Sequence, residues 1–87
     1  MPISKEKIRK IILNYGKNEK DTGSPEFQIA LLTEEILNLI EHLKKHKKDK
    51  SSKRGLILKL AYRKKLLRYL RKVSYERYKK ITEELGL

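Results

Sequence analysis

The chain has 87 residues, of which 38% are apolar and 39% charged, and its formal net charge at neutral pH is +12. This length and composition suit one domain of small amphipathic helices and exclude a deep, enclosed pocket. The chain contains no cysteine, which excludes disulfides and thiolate metal sites. Its amino terminus lacks the apolar run of a secretory signal, and no stretch approaches the ~20 apolar residues of a membrane span. We therefore expect a soluble, cytoplasmic protein.

Most of the charge lies in one segment. Residues 44–72 contain fourteen Lys and Arg and a single acid, Asp49, whereas residues 25–43 contain four Glu and no Lys or Arg. A surface this basic attracts a polyanion. Because almost nothing in the segment neutralises the charge, the pattern favours nucleic acid over a simple solvated face. Phosphate contacts from these residues would give an affinity that falls steeply with salt.

The first helix is predicted to begin after Ser4, a candidate N-cap, and to run to about Tyr15. Ile8, Ile11 and Ile12 share one face of it. Gly16 follows at the position where a left-handed glycine commonly ends a helix.

The second helix is predicted to begin at Ser24, whose hydroxyl can cap it, with Pro25 suited to the first turn and Glu26 complementing the helix dipole. It ends between Lys44 and Lys48. Its apolar residues are spaced by three and four, the seam of a bundle or coiled coil. They are Ile29, Leu32, Ile36, Leu39 and Leu43.

The third helix is predicted to run from the polar turn at residues 49–52 to about Val73. At about 100° per residue, its apolar arc contains Leu56, Leu60, Leu66, Leu67, Leu70 and Val73. Its basic arc contains Lys64, Lys65, Arg68, Arg71 and Lys72. Tyr69 lies at the border of the arcs, with Tyr62 one heptad earlier. Lys59 and Arg63 fall within the apolar arc, and nothing in the sequence explains them.

A fourth helix is predicted between Ser74, its N-cap, and Gly86, which ends it. This helix carries Tyr75, Tyr78, Leu85 and either Ile81 or Thr82 at helical spacing. The whole pattern predicts an all-α fold of four helices, three packed as an antiparallel bundle. The first helix is expected to dock more loosely, because the longest polar connector separates it from the rest.

Metal binding and catalysis have little support. His42 and His46 are four residues apart, a spacing that can bind zinc. However, no third histidine or cysteine is present, and the surrounding lysines repel a cation. The serines lack a plausible base, and the chain has no glycine-rich phosphate loop. We expect no metal, no cofactor and no enzymatic activity.

The loop before the second helix has two interpretations. Gly23 can simply allow a tight turn into the Ser24 cap. Alternatively, Thr22 and Gly23 let the backbone approach a ligand closely, and Gln28 on the next turn can read sugar hydroxyls or base edges. The sequence leaves both open.

Six runs of sequence carry a family resemblance. They are residues 21–26 (DTGSPE), 28–34 (QIALLTE), 41–44 (EHLK), 46–49 (HKKD), 52–56 (SKRGL) and 66–70 (LLRYL). Their order and spacing strongly resemble the bacterial-type S-fifteen family of small-subunit ribosomal proteins, over essentially the full length. Phe27 departs from the pattern, since a smaller aliphatic residue is expected there.

The resemblance implies that residues 1–87 form a single rRNA-binding domain that contacts the central domain of 16S rRNA at two places. At a three-way junction, the matching residues are Thr22, Gly23, Gln28, Lys65, Tyr69 and Lys72. At a shallow minor-groove site with a G·U next to a G·C pair, they are His42, Asp49 and Ser52. Contacts to the RNA backbone would come from His46, Lys47, Lys48, Lys53, Arg54, Lys64, Arg68 and Arg71. The resemblance also implies a monomer when free, neighbouring small-subunit proteins that join later, and a contact with large-subunit rRNA.

Several alternatives stay open at this point. Asp49 can accept from a guanine amino group, or it can only cap the third helix or orient a neighbour. Tyr69 can stack on a base, or it can donate its hydroxyl to phosphate. The whole chain can also be a sequence-nonspecific architectural nucleic-acid-binding protein, or a helical scaffold that dimerises through the second helix.

Overall fold

The computed structural model describes residues 4–16 and 24–87. They form four α-helices: α1 (Lys5–Gly16), α2 (Pro25–Lys45), α3 (Lys50–Val73) and α4 (Tyr75–Leu85). No strand occurs within these two ranges, so the prediction of an all-α, four-helix fold is confirmed. None of these four helices combines the length and the apolar character needed to cross a membrane.

Each helix begins at a side-chain cap. Ser4, Ser24, Asp49 and Ser74 each accept a hydrogen bond from the backbone amide three residues later, at 3.0 to 3.3 Å. Such a bond satisfies one of the amides that a helix start leaves unpaired. Gly86 ends α4 with left-handed backbone, φ 68°. The predicted N-caps Ser4, Ser24 and Ser74 and the predicted end of α4 at Gly86 are therefore confirmed.

Gly16 does not end α1 in the predicted way. It is the last residue of the helix, and among the described residues only Gly86 has a positive φ. Its missing side chain matters for packing instead, because a Cβ placed there would lie 2.8 Å from Cε1 of Phe27. The backbone of α1 thus approaches the aromatic ring of α2 more closely than any other residue would allow.

This contact predicts opposite effects of one substitution in two backgrounds. Gly16→Ala is expected to destabilise the protein by about 1 kcal/mol, because overpacking costs roughly 1–3 kcal/mol and alanine regains only about 0.5–1 kcal/mol of helix propensity. In a Phe27→Leu background the clash is relieved, and the same substitution is expected to stabilise. Urea denaturation of the four proteins measures both effects. An identical change in both backgrounds would show that the ring does not restrict residue 16.

All four helices contribute to one core. Among the described residues, five large side chains have no exposed surface, and they are Ile8, Ile29, Leu70, Ile81 and Leu85. From α1, Ile11 also joins this cluster, and the hydroxyl of Tyr15 donates to Glu84 of α4 at 2.9 Å. Helix α1 therefore packs against the same core as the other three helices.

Helices α2 and α3 are antiparallel across the short turn at residues 46–49. In the contacts between them, the residue numbers on α2 rise as those of their partners fall along α3 to its cap. The pairs are Gln28 with Tyr62, Glu35 with Lys59, and His42 with Asp49. This arrangement fixes which side of α3 faces the bundle and which faces solvent.

The two cations on the apolar arc of α3 have partners on α2. Lys59 lies 3.2 Å from a carboxylate oxygen of Glu35, and Arg63 donates to the buried hydroxyl of Thr33 at 3.2 Å. Burial lowers the pKa of Arg63. The apolar arc is therefore interrupted because its neighbour offers a carboxylate and a hydroxyl at those positions.

The start of α4 is tied to the start of α2 by an ion pair between an exposed guanidinium and a buried carboxylate. Arg77 donates to both carboxylate oxygens of Glu26, each at 2.7 Å, and Glu26 is 6% exposed. Burial raises the pKa of Glu26, but the hydrogen bonds from Arg77 lead the opposing effects, and the net shift is downward. Glu26 was expected to serve the helix dipole, yet its main partner is a side chain 51 residues away.

Candidate nucleic-acid interface

The basic segment is exposed and largely free of intrachain neutralisation. Of its fourteen Lys and Arg, twelve are exposed, and the two that are not are Lys59 and Arg63. Among the described carboxylates, only Glu35 forms an ion pair with any of the fourteen, namely Lys59. The charge on the outer side of α3 and the turn before it is thus available to an external anion.

This charge forms two groups along α3 rather than one continuous strip. The outer surface of α3 between the groups carries apolar side chains, with Ile57 65% and Leu58 59% exposed. The first group surrounds the turn and contains His46, Lys47, Lys48, Lys53 and Arg54, all exposed. The second lies near the end of α3 and contains Lys64, Lys65, Arg68, Arg71 and Lys72, also exposed.

At the first group, three polar side chains form a connected network. Asp49 Oδ2 lies 2.8 Å from Nε2 of His42 and accepts from the Ser52 hydroxyl at 2.7 Å. Asp49 Oδ1 accepts from the Ser52 amide at 3.0 Å. The backbone hydrogen bond of Ser52 leads the effects that lower the pKa of Asp49, followed by those from the Ser52 hydroxyl and His42. Asp49 is therefore an ionised acceptor that caps α3 and orients two neighbours.

The ionisation of Asp49 decides which groups donate and which accept in this network. An ionised carboxylate only accepts, so Nε2 of His42 carries the proton in their shared bond. In a neutral imidazole, Nδ1 is then left as an acceptor. Ser52 donates its only hydroxyl proton to Asp49, so its oxygen also presents lone pairs. Asp49 and Ser52 thus offer acceptor lone pairs beside exposed cations, a combination that suits a hydrogen-bond donor on an otherwise anionic molecule.

At the second group, side chains spaced by three, four and three form a stripe along α3. Tyr62, Lys65, Tyr69 and Lys72 lie on one side of the helix at this spacing, with Tyr62 47% and Tyr69 55% exposed. The hydroxyl of Tyr62 donates to Oε1 of Gln28 at 3.1 Å. This tyrosine–lysine stripe therefore begins beside the first turn of α2.

A sequence profile of one protein family, described as Ribosomal protein S15, matches residues 7–87. The chain belongs to the ribosomal protein S15 family. A small ribosomal subunit protein uS15 from Dictyoglomus thermophilum is 54% identical over all of this chain and 98% of its own length. Proteins with the same description from Enterococcus faecalis and Rhodococcus jostii are 52% and 48% identical with the same coverage. The resemblance found in the sequence is confirmed, and membership of this family makes the chain structural rather than enzymatic.

The structure brings together most of the residues that the S15 family resemblance singled out. His42, Asp49 and Ser52 are in direct contact across the turn. The stripe unites Lys65, Tyr69 and Lys72 and places Gln28 beside it through Tyr62. Thr22 and Gly23 lie outside the described residues. Their assignment to the junction site remains a prediction.

Two features of this interface were not predicted. Tyr62 lies one heptad before Tyr69, and this spacing is the signal in the sequence that places it in the stripe. In the sequence Arg71 belongs to the basic arc of the third helix. In the structure its guanidinium also contacts two aromatic rings, at 5.9 and 5.7 Å from the ring centroids of Tyr75 and Tyr78.

The histidines at the end of α2 do not form a metal centre with other described side chains. The rings of His42 and His46 are 4.6 Å apart, centroid to centroid. Within residues 4–16 and 24–87, no three His, Cys, Asp or Glu residues converge as metal ligands would. His42 is instead engaged by Asp49.

Proposed function

We propose that this chain is a structural constituent of the small ribosomal subunit, in the cytoplasm, and that it binds 16S rRNA directly as one 87-residue domain. Its RNA ligand has two contact points, a three-way junction and a minor-groove site with a G·U next to a G·C pair. The proposal rests on family membership and on one observation in particular. One continuous helix, α3, joins the acceptor network at its start to the tyrosine–lysine stripe near its end, with Ser52 and Tyr69 about 25 Å apart along its axis.

The network at the turn suits guanine in a minor groove. A-form RNA presents a wide, shallow minor groove lined by base edges and 2′-hydroxyls. In this groove guanine presents its exocyclic amino group as a hydrogen-bond donor, whereas adenine presents no donor. Asp49, Ser52 and, in a neutral imidazole, Nδ1 of His42 are acceptors, and they match two neighbouring guanines and their ribose hydroxyls. The surrounding lysines add attraction to the flanking phosphates.

The stripe suits a junction. Tyr69 is exposed enough to stack on a base that the junction leaves unpaired, and Lys65 and Lys72 lie one turn to either side of it to meet phosphates. Gln28, held by Tyr62, adds an amide that can hydrogen-bond to a sugar or base edge. Residues Thr22 and Gly23, which precede α2, would extend this contact.

Binding at both points would favour the compact junction over its open conformations, since a ligand shifts a population toward the state it binds better. Neighbouring small-subunit proteins would then find their site already formed. A contact of the turn between α2 and α3 with large-subunit rRNA would follow once the subunits join. None of these roles requires a cofactor or a second copy of the chain.

The proposal is tested by comparing a folded three-way-junction RNA with duplex DNA of equal length, by gel shift at about 150 mM salt. The junction RNA is expected to bind much more tightly. Equal affinities would favour a sequence-nonspecific architectural protein.

A Lys65→Ala/Lys72→Ala variant should lower the salt slope for the junction by about two units. The charge-matched Lys7→Ala/Lys10→Ala variant on α1 should leave it nearly unchanged.

A further inference from the structure

The corner between α3 and α4 carries a cluster of Arg71, Tyr75 and Tyr78, and the proposed function uses neither tyrosine. The rings of Tyr75 and Tyr78 have centroids 6.0 Å apart and are tilted by 36°. The guanidinium of Arg71 lies within 6 Å of both rings, at a distance typical of cation–π contacts. Tyr78 is half-buried against the core, whereas Tyr75 is 57% exposed. One ring is thus anchored and the other is presented to solvent.

This cluster does not belong to the tyrosine–lysine stripe. Arg71 follows Tyr69 by two residues, so the two side chains leave α3 about 200° apart. Tyr69 and Arg71 therefore leave opposite sides of the helix, and Lys72 of the stripe leaves it between them. A base stacked on Tyr69 therefore lies on a different side of α3 from Arg71.

We propose that Arg71, Tyr75 and Tyr78 form a separate stacking platform for an unpaired nucleobase of RNA. Bases stack on tyrosine rings and on the plane of an arginine side chain without a requirement for one sequence. Here Tyr78 fixes the platform to the core, Arg71 holds the two rings in a defined arrangement, and Tyr75 supplies the open face.

The charges around the platform suit a nucleotide rather than a neutral aromatic partner. Arg71 forms no ion pair with a described carboxylate, so its positive charge is available to a phosphate beside the stacked base. Lys79 is four residues after Tyr75, on the same side of α4, and is exposed. Glu76 is the one acid beside Tyr75 in sequence, and it leaves α4 about 100° away. The platform therefore combines an aromatic face with two flanking cations.

Photo-crosslinking tests this placement directly. The full-length protein is irradiated with a short single-stranded RNA containing 5-iodouridine, which reacts with aromatic side chains that stack on it. Trypsin separates the relevant tyrosines, because Tyr62, Tyr69, Tyr75 and Tyr78 fall in the fragments 60–63, 69–71, 73–77 and 78–79. We expect a crosslink in fragment 73–77 that persists in a Tyr69→Ala variant. Crosslinks confined to fragments 60–63 and 69–71 would overturn the proposal.

Binding measurements with matched variants give a second readout. Tyr75→Ala should weaken binding of the single-stranded RNA about fivefold, and Tyr75→Phe, which keeps the ring, should bind like the unmodified protein. Neither should alter binding of a fully paired RNA duplex, whose bases are already stacked. Equal loss with both variants, or loss that extends to the duplex, would contradict stacking at Tyr75. Junction binding through the stripe is measured separately with Tyr69→Ala, so failure of one site is distinguishable from failure of the other.

Discussion

Replacing Arg77 by alanine is expected to lower the midpoint of thermal unfolding by about 10 °C. The substitution leaves the Glu26 carboxylate buried and without its two hydrogen bonds. Hydrogen bonds to charged groups contribute about 1.5–3 kcal/mol, and because the Arg77 side chain is 46% exposed we expect a loss of about 2 kcal/mol. In a domain of this size, 1 kcal/mol shifts the midpoint by roughly 4–8 °C. Thermal denaturation followed by far-UV circular dichroism measures the shift.

The pH dependence of the stability lost in Arg77→Ala tests whether the ion pair with Glu26 is the cause. The folded-state pKa of Glu26 lies below its ordinary value of 4.5, so the pair stabilises the fold fully above that pH. The stabilisation disappears as the pH falls through the folded-state pKa. The deficit of Arg77→Ala should therefore shrink in acid.

Lys80→Ala, which removes a neighbouring charge without a hydrogen bond to Glu26, is the matched control and should cost far less. A deficit below about 0.5 kcal/mol, the range of an exposed ion pair, would show that the pair contributes little.

Replacing Asp49 by alanine is expected to weaken binding of an RNA that carries the G·U/G·C groove site by roughly ten- to a hundredfold. The substitution removes one acceptor and releases His42 and Ser52, which Asp49 orients. The same variant should bind almost normally to an RNA in which both pairs are replaced by A·U, because that groove lacks guanine amino groups. Filter binding with the two RNAs measures the difference.

Asp49→Asn separates the structural role of Asp49 from its contact with RNA. Asparagine can still accept from the Ser52 amide and cap α3. However, its amide nitrogen replaces an acceptor by a donor within the network. We expect this variant to fold like the unmodified protein and still to lose affinity for the groove site. Normal binding by Asp49→Asn, or equal losses on both RNAs, would mean that Asp49 acts only as a cap.

The sequence alone determined the features that depend on neighbouring residues along the chain. A cap acts on the amide three residues later, so Ser4, Ser24 and Ser74 could be identified without knowing the fold. The seam of α2 was equally predictable, because a spacing of three and four places its apolar residues on one face of any helix. The concentration of charge between residues 44 and 72 required no structure either. Of the two candidate sites, the groove site lies across a four-residue turn, and the resemblance named all three of its members.

Only the tertiary structure decided which residues face each other across helices. Periodicity defines the inner face of a helix, but it does not identify the side chain that the next helix places against it. For this reason the sequence does not explain Lys59 and Arg63, whereas the structure shows that Glu35 and Thr33 of α2 bind them. The same holds for the pairing of Glu26 with Arg77 and for the clash that makes residue 16 a glycine. These contacts join residues far apart in the chain, and packing geometry, rather than local preference, selects them.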